Sequence, residues 1–276
     1  YINGNMSLFQ AAAMAPEASL AVNGNLGNLK VGTLQGGNEF EVSGSLETAA
    51  FANASAAGGA ASASRIGALY STSGDLKIDL RSSGDIGFLG ALGGGFTGRV
   101  EAGGNLARVH ARGNVTSSVF SVGGSIYGIN AADMVSTAVN AANINSVNLS
   151  GSMVNSSLVA GPKLGGNAWF GDPGDLAGSG RIQQVRIGGN FTASDISAGV
   201  FSSNARLGDG DGSDARSAGT GTIGWVYVGG AIDGGGAPHG VMAETGRFQF
   251  YAGSWSAIRA GSPLQIGTVR VAVLED

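Results

Sequence analysis

Apolar and polar side chains alternate over short segments along the whole chain. One such segment carries Leu20 and Val22, followed by Leu26, Leu29 and Val31. Alternation at period two predicts short β-strands with one buried face, separated by turns. Strands this short cannot each bury a face alone, so the pattern indicates that they stack on one another.

A tripeptide that begins with glycine recurs through the first 130 residues. Glycine followed by a small polar residue is typical of turns, because glycine tolerates a positive φ. The copies lie at intervals of twenty residues or at multiples of ten: Gly4-Asn5-Met6, Gly24-Asn25-Leu26, Gly44-Ser45-Leu46, Gly74-Asp75-Leu76, Gly84-Asp85-Ile86 and Gly104-Asn105-Leu106. The repeat predicts a regular coil of about twenty residues.

Two all-β architectures are built from stacked short strands. A propeller blade takes about forty residues in four antiparallel strands, and the ten-residue spacing here is too short for it. In a parallel β-helix, each coil lies about 4.8 Å above the last and like side chains stack upon like. We therefore predict an all-β chain, a parallel β-helix (β-solenoid) with about 20 residues per coil and roughly ten to twelve coils.

The predicted solenoid is a single domain, residues 1–276, with two parts. Regular short repeats occupy about 1–130, whereas copies of the motif lie about forty residues apart in about 131–276. The additional residues fall in three polar, glycine-rich segments, which we predict to be loops. These segments are approximately 162–180, 203–221 and 234–261.

Asparagine recurs at the turns, at Asn5, Asn25, Asn105, Asn114 and Asn190. Two interpretations are open. The side chains could stack into amide ladders that bond one coil to the next, or they could simply be favourable turn residues.

Composition excludes several other classes of protein. The chain has 51 glycines in 276 residues, 12% charged residues and 43% hydrophobic residues. A disordered chain would carry more charge and fewer aliphatic residues, and five prolines without a strict glycine period exclude collagen. With no cysteine, disulfides, thiolate catalysis and cysteine-bound zinc are all excluded.

The charge and hydropathy of the chain restrict its partners and its location. The formal net charge is −4 and the 15 lysines and arginines are spread thinly, so nucleic acid is not a predicted partner. No apolar run of about 18 residues exists that could span a membrane as a helix. The chain opens at Tyr1 without a methionine, and we expect the start of a processed, secreted product.

With these repeats in view, the segment from Val185 to Gly199 shows the pattern most clearly. It reads Val-x-Ile-Gly-Gly-Asn-Phe-x-x-Ser-x-Ile-x-Ala-Gly. The pattern resembles the repeats of bacterial secreted β-strand-repeat proteins, and is broadly similar to autotransporter passengers and filamentous-haemagglutinin-like adhesins. The resemblance implies a right-handed parallel β-helix with a non-enzymatic structural or adhesive role at the cell surface. It carries over no catalytic residue, because such repeats encode stacking rather than a site.

One glycine-rich segment holds three carboxylates, those of Asp209, Asp211 and Asp214. Carboxylate oxygens in a flexible loop are ligands that Ca²⁺ prefers. An EF-hand loop starting at Asp209 would need glutamate at its twelfth position, where Thr220 stands. A calcium site and a solvated turn both remain open, and no other cofactor is predicted.

All three tryptophans lie in or beside the predicted loops, and we take Trp169 and Trp255 as candidate ligand-binding residues. Exposed aromatic rings along one face would support a second hypothesis, a polysaccharide-binding module that takes a surface glycan. Burial of the rings would count against it.

A polysaccharide lyase or hydrolase is the third hypothesis, and the sequence does not favour it. A hydrolase needs two carboxylates on one groove, about 5 to 10 Å apart, but Asp75, Asp85 and Glu101 are not expected to converge. The two histidines, His110 and His239, are expected to be ordinary polar residues.

The ends of the chain suggest self-association. The first turn motif starts at Gly4, and a strand-like segment, Thr268 to Leu274, lies close to the last residue. Uncapped end coils expose backbone N–H and C=O groups that recruit another strand edge. The expected partners are neighbouring repeats or further copies, and end-to-end stacking would produce a filament.

Overall fold

The fold is an all-β parallel β-solenoid of about 11 turns with roughly 20 residues per turn, which confirms the predicted fold class. The structure is a computed structural model. It describes residues 1–163, 176–202, 207, 214–216, 220–259 and 262–274, with only the backbone described at 57, 201, 214–216 and 255.

The chain forms two compact units. Unit 1 comprises Tyr1–Ser118 and Val122–Ala131, and unit 2 comprises Val119–Ser121 and Ala132–Asp276.

Twenty-nine strands are described, most of them short. The first thirteen are β1 Ile2–Asn3, β2 Met6–Met14, β3 Ser19–Asn23, β4 Leu26–Leu34, β5 Glu39–Ser71, β6 Leu76–Ser82, β7 Ile86–Ala91, β8 Phe96–Thr97, β9 Arg99–Ala102, β10 Leu106–Ala111, β11 Val115–Thr116, β12 Val119–Ile126 and β13 Ile129–Ala131. The others are β14 Met134–Val135, β15 Ala138–Leu149, β16 Met153–Val154, β17 Ser157–Ala160, β18 Arg181–Ile187, β19 Phe191–Thr192, β20 Asp195–Ala198, β21 Val200–Ser202, β22 Asp214–Arg216, β23 Thr222–Val228, β24 Ile232–Asp233, β25 His239–Ala243, β26 Arg247–Ala252, β27 Trp255–Arg259, β28 Leu264–Ile266 and β29 Val269–Val273.

The core of unit 1 is made of inward side chains that stack in register from coil to coil. Ile66 pairs with Ile86, Ile86 with Leu106, and Leu106 with Ile126, all in parallel strands. All four side chains are fully buried. Burying a side chain of this size contributes about 1.5–3 kcal/mol, so the twenty-residue repeat places a large stabilising term at the same position in every coil.

The core of unit 2 has the same construction, but two of its successive coils are separated by many more residues. Ile144 pairs with Ile182, and Ile182 pairs with Ile223. Successive coils lie 38 and then 41 residues apart, about twice the length of a regular coil. This spacing agrees with extra residues in the predicted segments near 162–180 and 203–221, most of which lie outside the described residues, and β21 and β22 pair in antiparallel orientation at the second.

The prediction of a third loop, near 234–261, is wrong. Within it, β25 pairs in parallel with β20, and β26 pairs in parallel with β23. Val241 and Phe250 are buried inward residues of these coils. The glycines around these strands suggested a loop, but the alternation in Phe248-Gln249-Phe250 marks a core strand.

Side chains at the turns bond one coil to the next. The backbone N–H of Asn25 donates to Asn5 Oδ1 at 2.8 Å, and that of Ser45 donates to Asn25 Oδ1 at 2.8 Å. A side-chain oxygen thus accepts the N–H that no strand carbonyl reaches at the turn. We call this row of acceptors the turn ladder. It includes Asn5, Asn25, Asp75, Asp85, Asn105, Asp133, Ser152 and Asn190.

The turn ladder confirms that turn asparagines bond coil to coil, but by a different contact from the one predicted. Most of these bonds run from a backbone N–H to a side-chain oxygen. Contacts between side chains also occur, since Asn105 Nδ2 donates to Asp85 Oδ1 at 3.2 Å and Asn23 Nδ2 donates to Asn3 Oδ1 at 3.4 Å.

A second row of polar side chains, which the repeated glycine motif does not predict, lies at a buried corner of the coil. In unit 2, Ser156 Oγ accepts the N–H of Thr137 at 3.1 Å, and Ser194 Oγ accepts the N–H of Ser156 at 3.1 Å. Each hydroxyl also donates to the carbonyl two residues earlier, as Ser156 does to Val154 at 2.8 Å. We call Thr137, Ser156 and Ser194 of unit 2 the corner ladder, and in unit 1 the Ser118 hydroxyl makes the same bond, to the carbonyl of Thr116.

Some of the turn glycines are required by the close approach of the coils rather than by a positive φ. A Cβ added to Gly44 would lie 2.2 Å from Asn25 Oδ1, and one added to Gly104 would lie 2.3 Å from Asp85 Oδ1. Neither glycine has a positive φ, whereas Gly74 does, at +71°. The expectation that positive φ explains these glycines is therefore correct only at some turns.

Candidate functional site

The candidate metal ligands and ligand-binding tryptophans fall largely outside what the structure describes. Trp169, Asp209 and Asp211 lie outside the described residues. Asp214 opens β22 and Trp255 opens β27, with only their backbone described. Among the described residues, no group of three or more histidine, aspartate or glutamate side chains could hold a metal ion. The calcium hypothesis stays a prediction.

The most distinctive surface of unit 2 is formed by outward positions of β18, β23 and β26. Inward residues of these strands, such as Val185, Val226 and Phe250, are fully or almost fully buried. Strand alternation places the residues between them on the opposite face. We call this outward row the aromatic strip, and it consists of Gln184, Arg186, Trp225, Tyr227, Gln249 and Tyr251.

Register stacks the strip into two adjacent rows. Gln184 pairs with Trp225, which pairs with Gln249. In the neighbouring row, Arg186 pairs with Tyr227, which pairs with Tyr251. Like positions of successive coils are separated by about 4.8 Å, so three consecutive coils contribute to one continuous surface.

The rings of the second row contact each other closely. The centroids of Tyr227 and Tyr251 are 4.5 Å apart with planes at 10°. The guanidinium carbon of Arg186 lies 5.7 Å from the Tyr227 centroid, within the range of a cation–π contact. These contacts hold the exposed arginine in a defined place beside two half-buried tyrosine rings.

A recess lies between the two rows, lined by Arg186, Trp225, Tyr227 and Gln249. Two rings supply apolar area, and an amide and a guanidinium supply hydrogen-bond donors at its edge. Apolar walls with a few directed polar groups are typical of ligand sites.

The strands around the recess carry positive charge. Four arginines lie on β18, β26 and β27: Arg181, Arg186, Arg247 and Arg259. Neither these three strands nor the adjacent β15 and β23 contain an aspartate or a glutamate. Arg181, Arg186, Arg247 and Arg259 are all exposed. In the part of the chain that the structure describes, Arg186 forms no ion pair. This positive area contrasts with the net charge of −4 of the whole chain.

Trp225 was noted beside a predicted loop but was not proposed as a site residue, and Arg186, Tyr227 and Tyr251 were missed. The signal was present in the outward positions of the motif copies, at Val185-Arg186-Ile187 and Val226-Tyr227-Val228. Their polar or aromatic residue stands between two inward aliphatic ones. The pairing of the copies across long insertions is what brings these residues together.

His239, predicted to be an ordinary polar residue, contacts a carboxylate. Its Nδ1 lies 3.1 Å from Asp195 Oδ2, and the Gly240 N–H donates to Asp195 Oδ1 at 2.8 Å. Ser157 pairs in register with Asp195, but its buried hydroxyl has no hydrogen-bond partner. The arrangement is therefore not that of a catalytic triad, in which the histidine also contacts the serine. Instead, Asp195 links β20 to the start of β25.

The three carboxylates considered as catalytic groups of a hydrolase each bind a separate structural partner. Asp75 accepts the N–H of Gly95 and Asp85 accepts that of Asn105, while Glu101 forms ion pairs with two arginines. A different recess in unit 1, lined in part by Glu39, Glu41, Asp79 and Arg81, also carries acidic groups. It is the place where the enzymatic hypothesis can be tested.

Comparison of the chain with protein-family models, with curated proteins and with solved structures found no match. The family resemblance of the repeat from Val185 to Gly199 thus stays a prediction. Across the described ranges, the structure contains no helix with the length and hydropathy needed to cross a membrane.

Proposed function

We propose that this chain is a non-enzymatic, extracellular structural protein of a bacterial surface that forms or belongs to a fibre or adhesin. The observation that carries the proposal is the turn ladder. Side chains of the repeated motif accept backbone N–H groups of the adjacent coil in both units. The most regular feature of the sequence thus serves to hold coils together rather than to assemble a reactive site.

The resemblance of the repeat to those of secreted bacterial surface proteins supports the same role and location. The stability of such a solenoid comes from the backbone ladder, the core and the two polar side-chain rows. It needs neither a disulfide nor a cofactor. A protein of this kind is suited to extending a surface or to presenting one.

Self-association belongs to the proposal. A coil offers backbone groups and turn side chains that are complementary to those of another coil, so solenoid subunits can stack end to end. We expect negative-stain electron microscopy over a concentration series to show filaments whose length grows with concentration. A chain that stays monodisperse at every concentration would contradict fibre formation, and a monomeric adhesin would then be the remaining structural role.

Polysaccharide binding is the second candidate function, and the aromatic strip favours it. The strip presents Trp225, Tyr227 and Tyr251 half-buried on an outward face, the kind of surface that the hypothesis requires. Trp169 and Trp255 remain predicted contributors.

The non-enzymatic part of the proposal is tested with a panel of soluble polysaccharides. We expect no release of reducing ends and no unsaturated product during prolonged incubation with the chain. The matched control is Asp195→Asn in unit 2. Depolymerisation that is lost in an Asp79→Asn variant but kept in the control would assign catalysis to the acidic recess and refute the non-enzymatic part of the proposal.

A further inference from the structure

We propose that the recess between Trp225 and Tyr227 binds a segment of an anionic polysaccharide, whose acidic group pairs with Arg186. The inference rests on polysaccharide binding, the second candidate function, and adds the site and the charge of the ligand.

The aromatic rings of the recess are not needed by the core. Ile182 and Ile223 fill the interior of these coils together with valines, and they are fully or nearly fully buried. Trp225 and Tyr227 stand on the opposite face and keep part of their surface exposed. Partly exposed rings beside donors and acceptors suit sugars, which have apolar C–H faces and hydroxyl edges.

The charge of the surroundings selects an anionic ligand. Four exposed arginines and no carboxylate lie on the strands around the recess. Arg186 is the one that lines it, and its contact with Tyr227 restrains the side chain before any ligand arrives. A guanidinium offers a planar pair of donors that matches a carboxylate or a sulfate.

The arrangement of the strip favours an extended chain over a small molecule. Gln184, Trp225 and Gln249 repeat along three successive coils, and a linear polymer lying along the strip can contact each coil in turn. The terminal amides of the two glutamines both donate and accept hydrogen bonds, as sugar hydroxyls do.

Single-stranded nucleic acid also binds aromatic and basic surfaces, but it requires open ring faces on which bases can stack. One neighbour of the Tyr227 ring is Arg186 and another is the parallel ring of Tyr251. Because these neighbours lie over the Tyr227 ring, little of its face is open for a base to stack on, and we therefore favour a glycan.

The test measures binding of the whole chain by isothermal titration calorimetry to four probes: polygalacturonate, dextran sulfate, neutral dextran and a thymidine oligonucleotide. We expect binding to an acidic glycan that weakens with added salt. A preference for polygalacturonate or for dextran sulfate distinguishes a carboxylate from a sulfate as the group that Arg186 recognises.

Two variants locate the site. Arg186→Gln should weaken binding by about tenfold or more, because it removes a charge-assisted contact. Trp225→Phe should weaken it less, and its circular dichroism reports whether the fold is intact. Arg108→Gln is the matched control, because Arg108 is also an exposed residue of a coil strand, β10 in unit 1, and the variant should bind as the unmodified chain does.

Equal losses of affinity for the acidic glycan in Arg186→Gln and Arg108→Gln would overturn the proposal, since the glycan would then be attracted by positive charge in general. Equal affinity for neutral dextran would overturn the role of charge, and tighter binding of the oligonucleotide would overturn the choice of a glycan. Absence of all binding would refute the site but not the structural role, which electron microscopy of the same samples tests separately.

Discussion

Replacing Ser156 of the corner ladder by alanine should destabilise unit 2 by an amount that follows from its contacts. Ser156 is 1% exposed, and its hydroxyl accepts the N–H of Thr137 and donates to the carbonyl of Val154. Substitution by alanine removes the hydroxyl that accepts the Thr137 N–H, and it does not open a large cavity. Losing the partner of a buried polar group costs about 1–3 kcal/mol, so we expect a loss of stability in that range.

Two substitutions serve as matched controls. Ser156→Thr keeps the hydroxyl, and threonine already occupies the corner ladder at Thr137, so this variant should keep most of the stability. Ser157 is equally buried, but its hydroxyl has no partner. Ser157→Ala removes a buried polar group without breaking a bond and should leave stability unchanged or raise it by about 1 kcal/mol.

The assay combines urea unfolding with hydrogen exchange read by mass spectrometry. Long repeat arrays depart from two-state unfolding, so exchange of a peptide containing Thr137 gives the local effect. A cost of about 1–3 kcal/mol corresponds to exchange about 5- to 150-fold faster. The reasoning is refuted if Ser156→Ala and Ser157→Ala behave alike, or if Ser156→Thr is as unstable as Ser156→Ala.

Three further substitutions test other parts of the solenoid. Gly87→Ala should lower the melting temperature strongly, because its Cβ would lie 2.4 Å from a backbone carbonyl of the preceding coil, whereas Gly128→Ala, with no atom within 4 Å, should not. Asn25→Ala should lower the urea midpoint, because it removes the acceptor of the Ser45 N–H. Asn25→Asp keeps an oxygen there and should keep the midpoint of the unmodified chain. Equal midpoints for the two variants would contradict the turn ladder. Glu244→Ala should speed proteolysis near the second insertion, since its buried carboxylate accepts a backbone N–H at 3.0 Å, while Glu244→Gln, which keeps an acceptor, should be cleaved more slowly than the alanine variant.

The insertions shape what the surface of unit 2 can do. They lengthen the separation between successive coils without changing the register of the strands on either side, as the pairing of Ile182 with Ile223 shows. Strand faces can therefore change their outward residues while the inward ones stay aliphatic. The aromatic strip and the basic charge around it lie on such outward positions.

The sequence by itself was sufficient for the fold class, the coil length and the approximate number of coils. Those properties depend on contacts between residues about twenty positions apart, such as Ile66 with Ile86, and a repeated motif displays that spacing directly. The bonding of coils by Asn25 was one of two interpretations that the sequence left open, because the sequence does not show that its side-chain oxygen accepts the backbone N–H of Ser45.

Only the tertiary structure decided the candidate site. Gln184, Trp225 and Gln249 share a row because of strand register, and the long insertion between the first two hides that register from any local pattern. The same holds for Asp195 and His239, which contact each other 44 residues apart. Outward positions have no packing requirement that a periodic pattern could reveal, so their partners become known only when the coils are stacked.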